Sequence, residues 1–328
     1  MDRANFVKTA VDAYFGRVEG NYSVAKTQEA LRAALIEMNG RSDKLTRKSF
    51  RDHPEMYSIV EEIITITTLD SIPQDNPLFD YMETRNLAYG DSNQFTVDSN
   101  QLFIVSQIAE GTQGLRRQRQ IGNAPITVAT VLRGVKIYEE LARVLSGRSD
   151  FNKMIANVAR SFSAQINIDA YNAVVGTFDG LTAPYKVTGT FDAGKLATLI
   201  DHVEAENDAT AIILTSKQGA RQITNIVGAD AHSAKEDLYN MGYFGHFGNN
   251  PIITMKNRHV PGTTNFALGN SLYVVASNEK FIKFVTEGET TIISGSVYGN
   301  ADLSQDYFMG QRYGVAAVLG NKAGVYEL

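Results

Sequence analysis

Between residues 87 and 133 the chain makes a long extended excursion that its sequence neighbours do not cover. It reads LAYGDSNQFTVDSNQLFIVSQIAEGTQGLRRQRQIGNAPITVATVLR, with two apolar, strand-like arms at 95–108 and 126–133. Between them lies a polar middle tipped by Arg116, Arg117 and Arg119. A two-stranded hairpin that long is marginal in water unless something packs on it. No adjoining segment is an obvious cover, which leaves another copy of the same chain as the candidate.

The bulk numbers agree with a surface that is covered by something other than water. Only 20% of the 328 residues are charged while 43% are apolar, a lower charge fraction than is usual for a soluble domain. The length allows two or three ordinary domains or one elaborate one. A net charge of −5 argues against general nucleic-acid affinity, which needs clustered positive charge, but leaves room for a local basic face. The chain has no cysteine and no tryptophan, so disulfide frameworks, thiolate nucleophiles and zinc ribbons are excluded. Residues 1–20 carry Asp2, Arg3, Lys8 and Asp12 with no apolar core, so no secretion signal is predicted. No run approaches the roughly 18 apolar residues of a membrane helix. The expectation is a soluble product made in a reducing cytoplasm, without membrane contact.

Along the chain, Val24, Gln28, Leu31, Leu35 and Met38 recur at helical spacing with Gly40 as a stop. A helix or strand follows Pro54, and a two-proline break lies at 72–77. A short helix is expected at 135–145. The strongest helical pattern comes next: Phe151, Ile155, Val158, Phe162, Ile166, Ala170 and Val174 repeat at three and four after a Ser149–Asp150 cap. It predicts a rod over 151–175 of about 37 Å. From Gly176 the texture becomes α/β, with a helix at 191–207, a buried strand at 209–215 and a helix from Ser216 to Val227. Strands are predicted at 251–255, 266–276, 281–286, 290–298, 313–319 and 324–328. The fold class is α+β.

Chemistry-bearing motifs are absent or incomplete. GTFDAGKL at 189–196 fits G-x-x-x-x-G-K but ends on Leu196, where a phosphate loop needs a hydroxyl for magnesium. Asp192 would also set a negative charge inside the phosphate cradle. A turn leading to a helix capped at Thr190 or Asp192, with Lys195 outside, explains the segment better. His53, His202, His232, His246 and His259 show no metal-ligand spacing. No G-x-S-x-G elbow exists, and the paired carboxylates lie on polar helix faces. No catalytic residue, metal or cofactor is predicted. Two basic features each have two readings. Arg116, Arg117 and Arg119 form either a solvated tip or planar donors reaching carboxylates on an adjacent subunit. Lys44, Arg47, Lys48 and Arg51 form either a solvated face or a patch turned to an anionic partner such as DNA. The glycine-spaced aromatics Tyr243, Phe244 and Phe247, with His246, form a loop that either packs on a neighbour or cradles a ligand.

The order of these segments resembles one family. NPLFDYMETRNLAYGDSNQF (76–95), AEG (109–111), VKIYEEL (135–141), the long helix from Phe151, ATAIILTS (209–216), GYFGHFGNNPII and the closing MGQRYGVAAVLGNKAGVYEL are similar in order and type to the major capsid proteins of tailed bacteriophages. That Hong Kong 97-like fold is shared by encapsulin shells, and the likeness spans roughly 54–328.

The resemblance implies an N-terminal helical region and arm over 1–86, an extended loop over 87–133 lying on a neighbouring subunit, and a P domain with its spine helix over 134–188. It further implies an A domain over 189–276 with an axial loop at Tyr243, Phe244, His246 and Phe247, and C-terminal strands over 277–328 returning to both domains. The implied function is a structural one: hexamers and pentamers closing an icosahedral head around non-specifically bound DNA, with a portal and scaffolding or decoration proteins as partners, in a virion assembled from subunits made in the host cytoplasm. No large cleaved N-terminal segment and no subunit crosslink are expected. An encapsulin-like shell holding a cargo protein is the alternative, and a nucleotide-binding enzyme using 189–196 a distant one.

Overall fold

The computed structural model describes residues 3–15, 17, 24–44, 76–91, 93–96, 125–138, 146–148, 151–224, 232–277, 280–294 and 306–328, with scattered residues between 52 and 67 and at 103–105, 107 and 117–118. Its organising element is one helix, Phe151–Asp179 (29 residues), about 44 Å long at the usual rise. It runs past Gly176, where the sequence predicted a stop. A glycine costs a helix interior about 1 kcal/mol, and the burial of Phe178 immediately beyond outweighs that. The Phe178 ring meets Tyr273 at 5.1 Å and Phe281 at 6.3 Å, both edge-on.

This spine helix lies between two sheets and is shared by both. Its Ile166, Ala170, Tyr171, Val174 and Phe178 sit in one apolar cluster with Ile282, Phe284 and Tyr313 of the first sheet and Ile212, Leu214, Tyr273 and Val275 of the second. The first sheet has four strands in the order β1-β10-β11-β4, where β1 is Met82–Leu87, β4 Val131–Tyr138, β10 Ile282–Ser294 and β11 Asp306–Ala317. β10 and β11 form a long antiparallel ribbon, β1 adds parallel to β10, and β4 pairs β11 along eight residues.

Two expectations are corrected here. The helix predicted at 135–145 is, over its first four residues, the end of β4. Its burial alternates from Leu132 to Lys136, with Arg133 and Val135 half-buried between exposed neighbours, and register with β11 settles the choice; residues 139–145 lie outside the described set. The separate strands predicted at 281–286 and 290–298 are one strand through Ser294. The register shifts between Glu287 and Thr291 around Gly288, whose φ of +72° favours glycine. β1 was missed because M-E-T-R-N-L has little apolar alternation.

The second sheet has six strands in the order β5-β12-β9-β6-β8-β7: β5 is Lys186–Thr188, β6 Ala211–Ser216, β7 His246–Phe247, β8 Asn250–Met255, β9 Leu272–Ala276 and β12 Gly324–Glu327. Its central strands are covered on both faces. Ile212 and Leu214 face the spine helix, while Ala211 and Ile213 face helix Ala193–Asn207 through Leu196, Leu199, Ile200 and Val203. Strand Leu272–Ala276 is shorter than the predicted 266–276, because residues 257–268 form a loop closed by the His259–Phe266 bridge. Ser216 caps the following helix, accepting from the Gly219 N–H at 3.1 Å, but that helix ends at Gln222, not Val227, with Ile223 extended.

At the N-terminal end, helices Arg3–Tyr14 and Val24–Met38 close a satellite core. Phe6, Ala10, Leu31 and Leu35 meet Ile59 and Ile63, then Val158 and Phe162 of the spine helix and Met309 of β11. The second helix stops where predicted, with Gly40 at φ +69° and the Arg41 N–H donating to Ile36 O at 2.8 Å.

Three tyrosines link this packing to pH. Burial pushes the Tyr171 and Tyr273 phenols up to about 12 and raises that of Tyr313 too, with the Asp169 carboxylate adding to it. A raised folded-state pKa stabilises below the unfolded value of about 10, and that stability is lost as pH climbs toward 12. A cooperative alkaline transition is expected in that window, with tyrosinate absorbance and loss of circular dichroism moving together. Smooth tyrosine titration with unchanged dichroism would contradict it.

Candidate functional site

The root of the excursion is tightly held. Strands β2 (Gln94–Thr96) and β3 (Pro125–Thr127) pair in register Gln94–Thr127, Phe95–Ile126 and Thr96–Pro125. Among the described residues, regular pairing of the predicted arms is confined to these three pairs; most of 97–124 lies outside the described set. Phe95 is buried on Val128 and Val285, and the Arg85 guanidinium sits 4.1 Å above its ring while donating to Gln94 O at 2.7 Å. Glu83 holds that arginine at 2.8 Å and Lys283 at 2.7 Å. Burial alone would raise the Glu83 carboxyl, but the hydrogen bonds and charges of Lys283 and Arg85 outweigh it and hold the group below the ordinary glutamate value. Glu287 accepts from Thr130 at 2.6 Å, and the Tyr89 ring fills the space a Gly288 Cβ would take.

Beyond the root, the described residues of the excursion are exposed. Phe103, Ile104 and Val105 are 50%, 76% and 95% exposed. The Gln118 amide grips Ile104 from across the loop, accepting from its N–H at 2.8 Å and donating to its carbonyl at 2.7 Å. Arg117 is exposed beside Gln118, whereas Arg116 and Arg119 lie outside the described residues. The sequence reading placed this tripeptide within the apolar arm at 95–108 but named only the arginines as contacts. Its signal was present: Phe-Ile-Val is a strongly β-prone run inside a polar stretch.

Leu132, Arg133, Gly134 and Val135 of β4 face Ser161, Phe162, Ala164 and Gln165 of the spine helix, with Pro261 across the opening, around a cleft of about 600 Å³. Asp169 organises its polar side. It accepts from the Tyr313 hydroxyl at 2.9 Å and from Gln165 at 3.0 Å, and pairs with Arg133 at 3.0 Å. Asn76 ties the chain before β1 to the helix by donating to Asn167 Oδ1 at 2.7 Å and to the Tyr171 hydroxyl.

The predicted axial loop is packed more closely than its composition suggests. Tyr243, Phe244 and Phe247 rest on the core of the six-stranded sheet of their own subunit, and the Tyr243 hydroxyl lies 3.0 Å from Thr254 Oγ1. Only His246 of the four is exposed. The exposed apolar side chains sit instead on the preceding helix, His232–Met241, where Leu238, Tyr239 and Met241 are 48%, 91% and 40% exposed. Of the basic run, Lys44 is exposed, its carbonyl accepting from Asn39 at 3.1 Å; Arg47, Lys48 and Arg51 lie outside the described residues.

The phosphate-loop lookalike is a capped helix. Asp192 Oδ1 accepts from the N–H groups of Gly194 at 2.8 Å and Lys195 at 3.2 Å, so a carboxylate already occupies the amides a phosphate would need. Asp192→Ala is expected to cost about 1 kcal/mol in urea unfolding; no loss would contradict the cap. Among the described residues no group of histidines and carboxylates could hold a metal, and no helix is long and apolar enough to cross a membrane.

A sequence profile of the family described as "SPbeta prophage-derived putative capsid protein YonB" matches residues 9–327. The chain belongs to this capsid family. No curated protein matches the capsid subunit. Among solved structures it is similar to the acid-stable capsid of Helicobacter pylori bacteriophage KHP30, at 14% identity and a TM-score of 0.50, covering 77% of this chain and 91% of that one. The head of Helicobacter pylori bacteriophage KHP40 gives 12% identity and a TM-score of 0.50, over 77% and 90%. At these identities the likeness is one of fold, and the capsid subunit has the Hong Kong 97-like fold that its segment order resembles.

Proposed function

We propose that the subunit assembles as hexamers and pentamers into an icosahedral head shell enclosing phage DNA, with its extended loop lying on the next subunit. The observation that carries this reading is the combination of a capsid-family sequence over nearly the whole chain with a loop fastened at its root and exposed at Phe103, Ile104 and Val105. In this reading 1–86 form the N-terminal region, 87–133 the intersubunit loop, 134–188 the P domain, 189–276 the A domain, and 277–328 the strands that return to both. Pairing of β12 with β5 and β9, and of β11 with β4, supports the last assignment. Helix His232–Met241 and His246 are the candidate contacts at the symmetry axes, Arg116, Arg117 and Arg119 the polar contacts of the loop tip, and Lys44, Arg47, Lys48 and Arg51 the DNA-facing patch. The role is structural and not enzymatic, with portal, scaffolding or decoration proteins as partners.

Light scattering and negative-stain microscopy of the subunit expressed alone test the shell: closed particles, tubes or capsomers are expected, and a compact monomer at micromolar concentration would contradict it. Nuclease-protected DNA in particles recovered from phage-producing cells is expected. Particles holding a packaged protein and no DNA would make the shell a cargo compartment instead.

A further inference from the structure

We propose that the open edge of β4 is a strand-addition site that receives Phe103, Ile104 and Val105 from a second copy of the chain. The inference rests on the shell reading and names the seat of the loop within it.

β4 ends the four-stranded sheet: β11 pairs it along all eight residues, and no strand pairs its other edge among the described residues. An open edge is a template for another strand. Beside it runs the cleft of about 600 Å³ touched by four consecutive β4 residues, Leu132 through Val135. Side chains alternate across a strand, so a cleft touched by four in a row follows the strand's edge and not one of its faces. Phe162 and Pro261 give the cleft an apolar far side, while Val131 and Leu132 are left 55% and 53% exposed at its entrance. The space a Gly134 side chain would take is filled by the Phe308 ring of β11, so β4 is held flat on its paired side.

The incoming segment has the matching form. Ile104 has both backbone groups bound by Gln118. In an extended chain a residue's N–H and C=O point to one side and those of its two neighbours to the other. Phe103 and Val105 therefore present their backbone groups away from the loop's other arm, and no described residue bonds them. Their exposure shows that the segment is not seated on its own subunit. One chain thus carries one donor segment and one acceptor edge, unlike surfaces that can be joined head to tail between copies. Repeated head-to-tail contacts close rings, as a capsomer requires.

The absence of native cysteine makes the test clean. Val105→Cys with Leu132→Cys, and Phe103→Cys with Leu132→Cys, sample two registers; all three positions are at least half exposed, so the subunit fold is not disturbed. Paired strands bring Cα atoms to about 5 Å, within disulfide reach. Oxidised particles of at least one double variant are expected to give a reductant-sensitive ladder of dimers and higher multimers, well above that of any single variant. Intact shells without a ladder from either pair would overturn the seat and leave the shell reading standing; failure of the unsubstituted chain to form particles would remove the shell reading itself. Hydrogen exchange on the unsubstituted protein covers the case of variants that do not assemble. Amides within 131–138 are expected to slow at least tenfold between free subunits and shells, and unchanged exchange there would overturn the proposal.

Discussion

Replacing Arg116, Arg117 and Arg119 together by glutamate is expected to leave the subunit folded and to raise the concentration at which shells form by about 30-fold or more. The three arginines are sequence neighbours of Gln118, the residue whose amide fixes the conformation of Ile104, so they belong to the part of the loop assigned to the neighbour. Planar bidentate donors suit carboxylates on a facing surface. Losing one partner of a charge pair desolvated at an interface costs about 2–5 kcal/mol, and like charges add repulsion. Even about 2 kcal/mol per contact is a factor of about 30, multiplied in effect because every subunit repeats it. Among the described residues the subunit's cores do not involve the tip, so far-ultraviolet dichroism and the urea midpoint of free subunits are expected to stay unchanged. Normal shells from the triple variant at the usual concentration would remove the arginines from the interface and leave them as a solvated tip.

Phe178→Ala is expected to destabilise the free subunit by about 3–5 kcal/mol, the usual loss for a buried phenylalanine. Phe178 is 1% exposed and touches both layers that the spine helix joins, through Tyr273 on one side and Phe281 next to β10 on the other. A cavity there cannot be filled by collapse of one sheet without pulling it from the helix. Of order 5–15 kcal/mol is the whole stability of a typical domain, so the variant is expected to accumulate unfolded and to assemble poorly at every concentration. That outcome differs from the arginine reversal, where fold and assembly separate. A change in urea stability below about 1 kcal/mol would contradict the account of the helix as the shared layer.

The parts of this fold legible in the sequence are those where local pattern and tertiary role agree. The spine helix carries its own three-four repeat, β6 its unbroken apolar run, Asp192 its cap, and Gly40 its stop. The parts that were not legible depend on partners far away in the chain. β4 takes its strand conformation from eight residues of β11 more than 160 positions later, and Y-E-E-L beyond it has helical character that pulled the local reading the other way. β1 is polar because it lies at a sheet end, where only Met82 is deeply buried. The assembly surfaces divide in the same manner. The excursion was visible as a hairpin without a cover, but the aromatic loop at 242–248 drew attention through its composition, although three of its rings belong to the subunit's own core. The exposed side chains of Leu238 and Tyr239 sit in a short helix among charged residues, and nothing in H-S-A-K-E-D-L-Y-N-M marks them as surface.

The central claim is that the excursion's missing cover is the next subunit, and cryo-electron microscopy of particles formed by the chain alone tests it most directly. Traced from the β2–β3 root, residues 97–124 are expected to leave their own subunit and lie across an adjacent one, with Phe103, Ile104 and Val105 along the free edge of its β4. Density showing the loop folded back over its own β4 and spine helix, or a preparation holding only compact monomers, would contradict it.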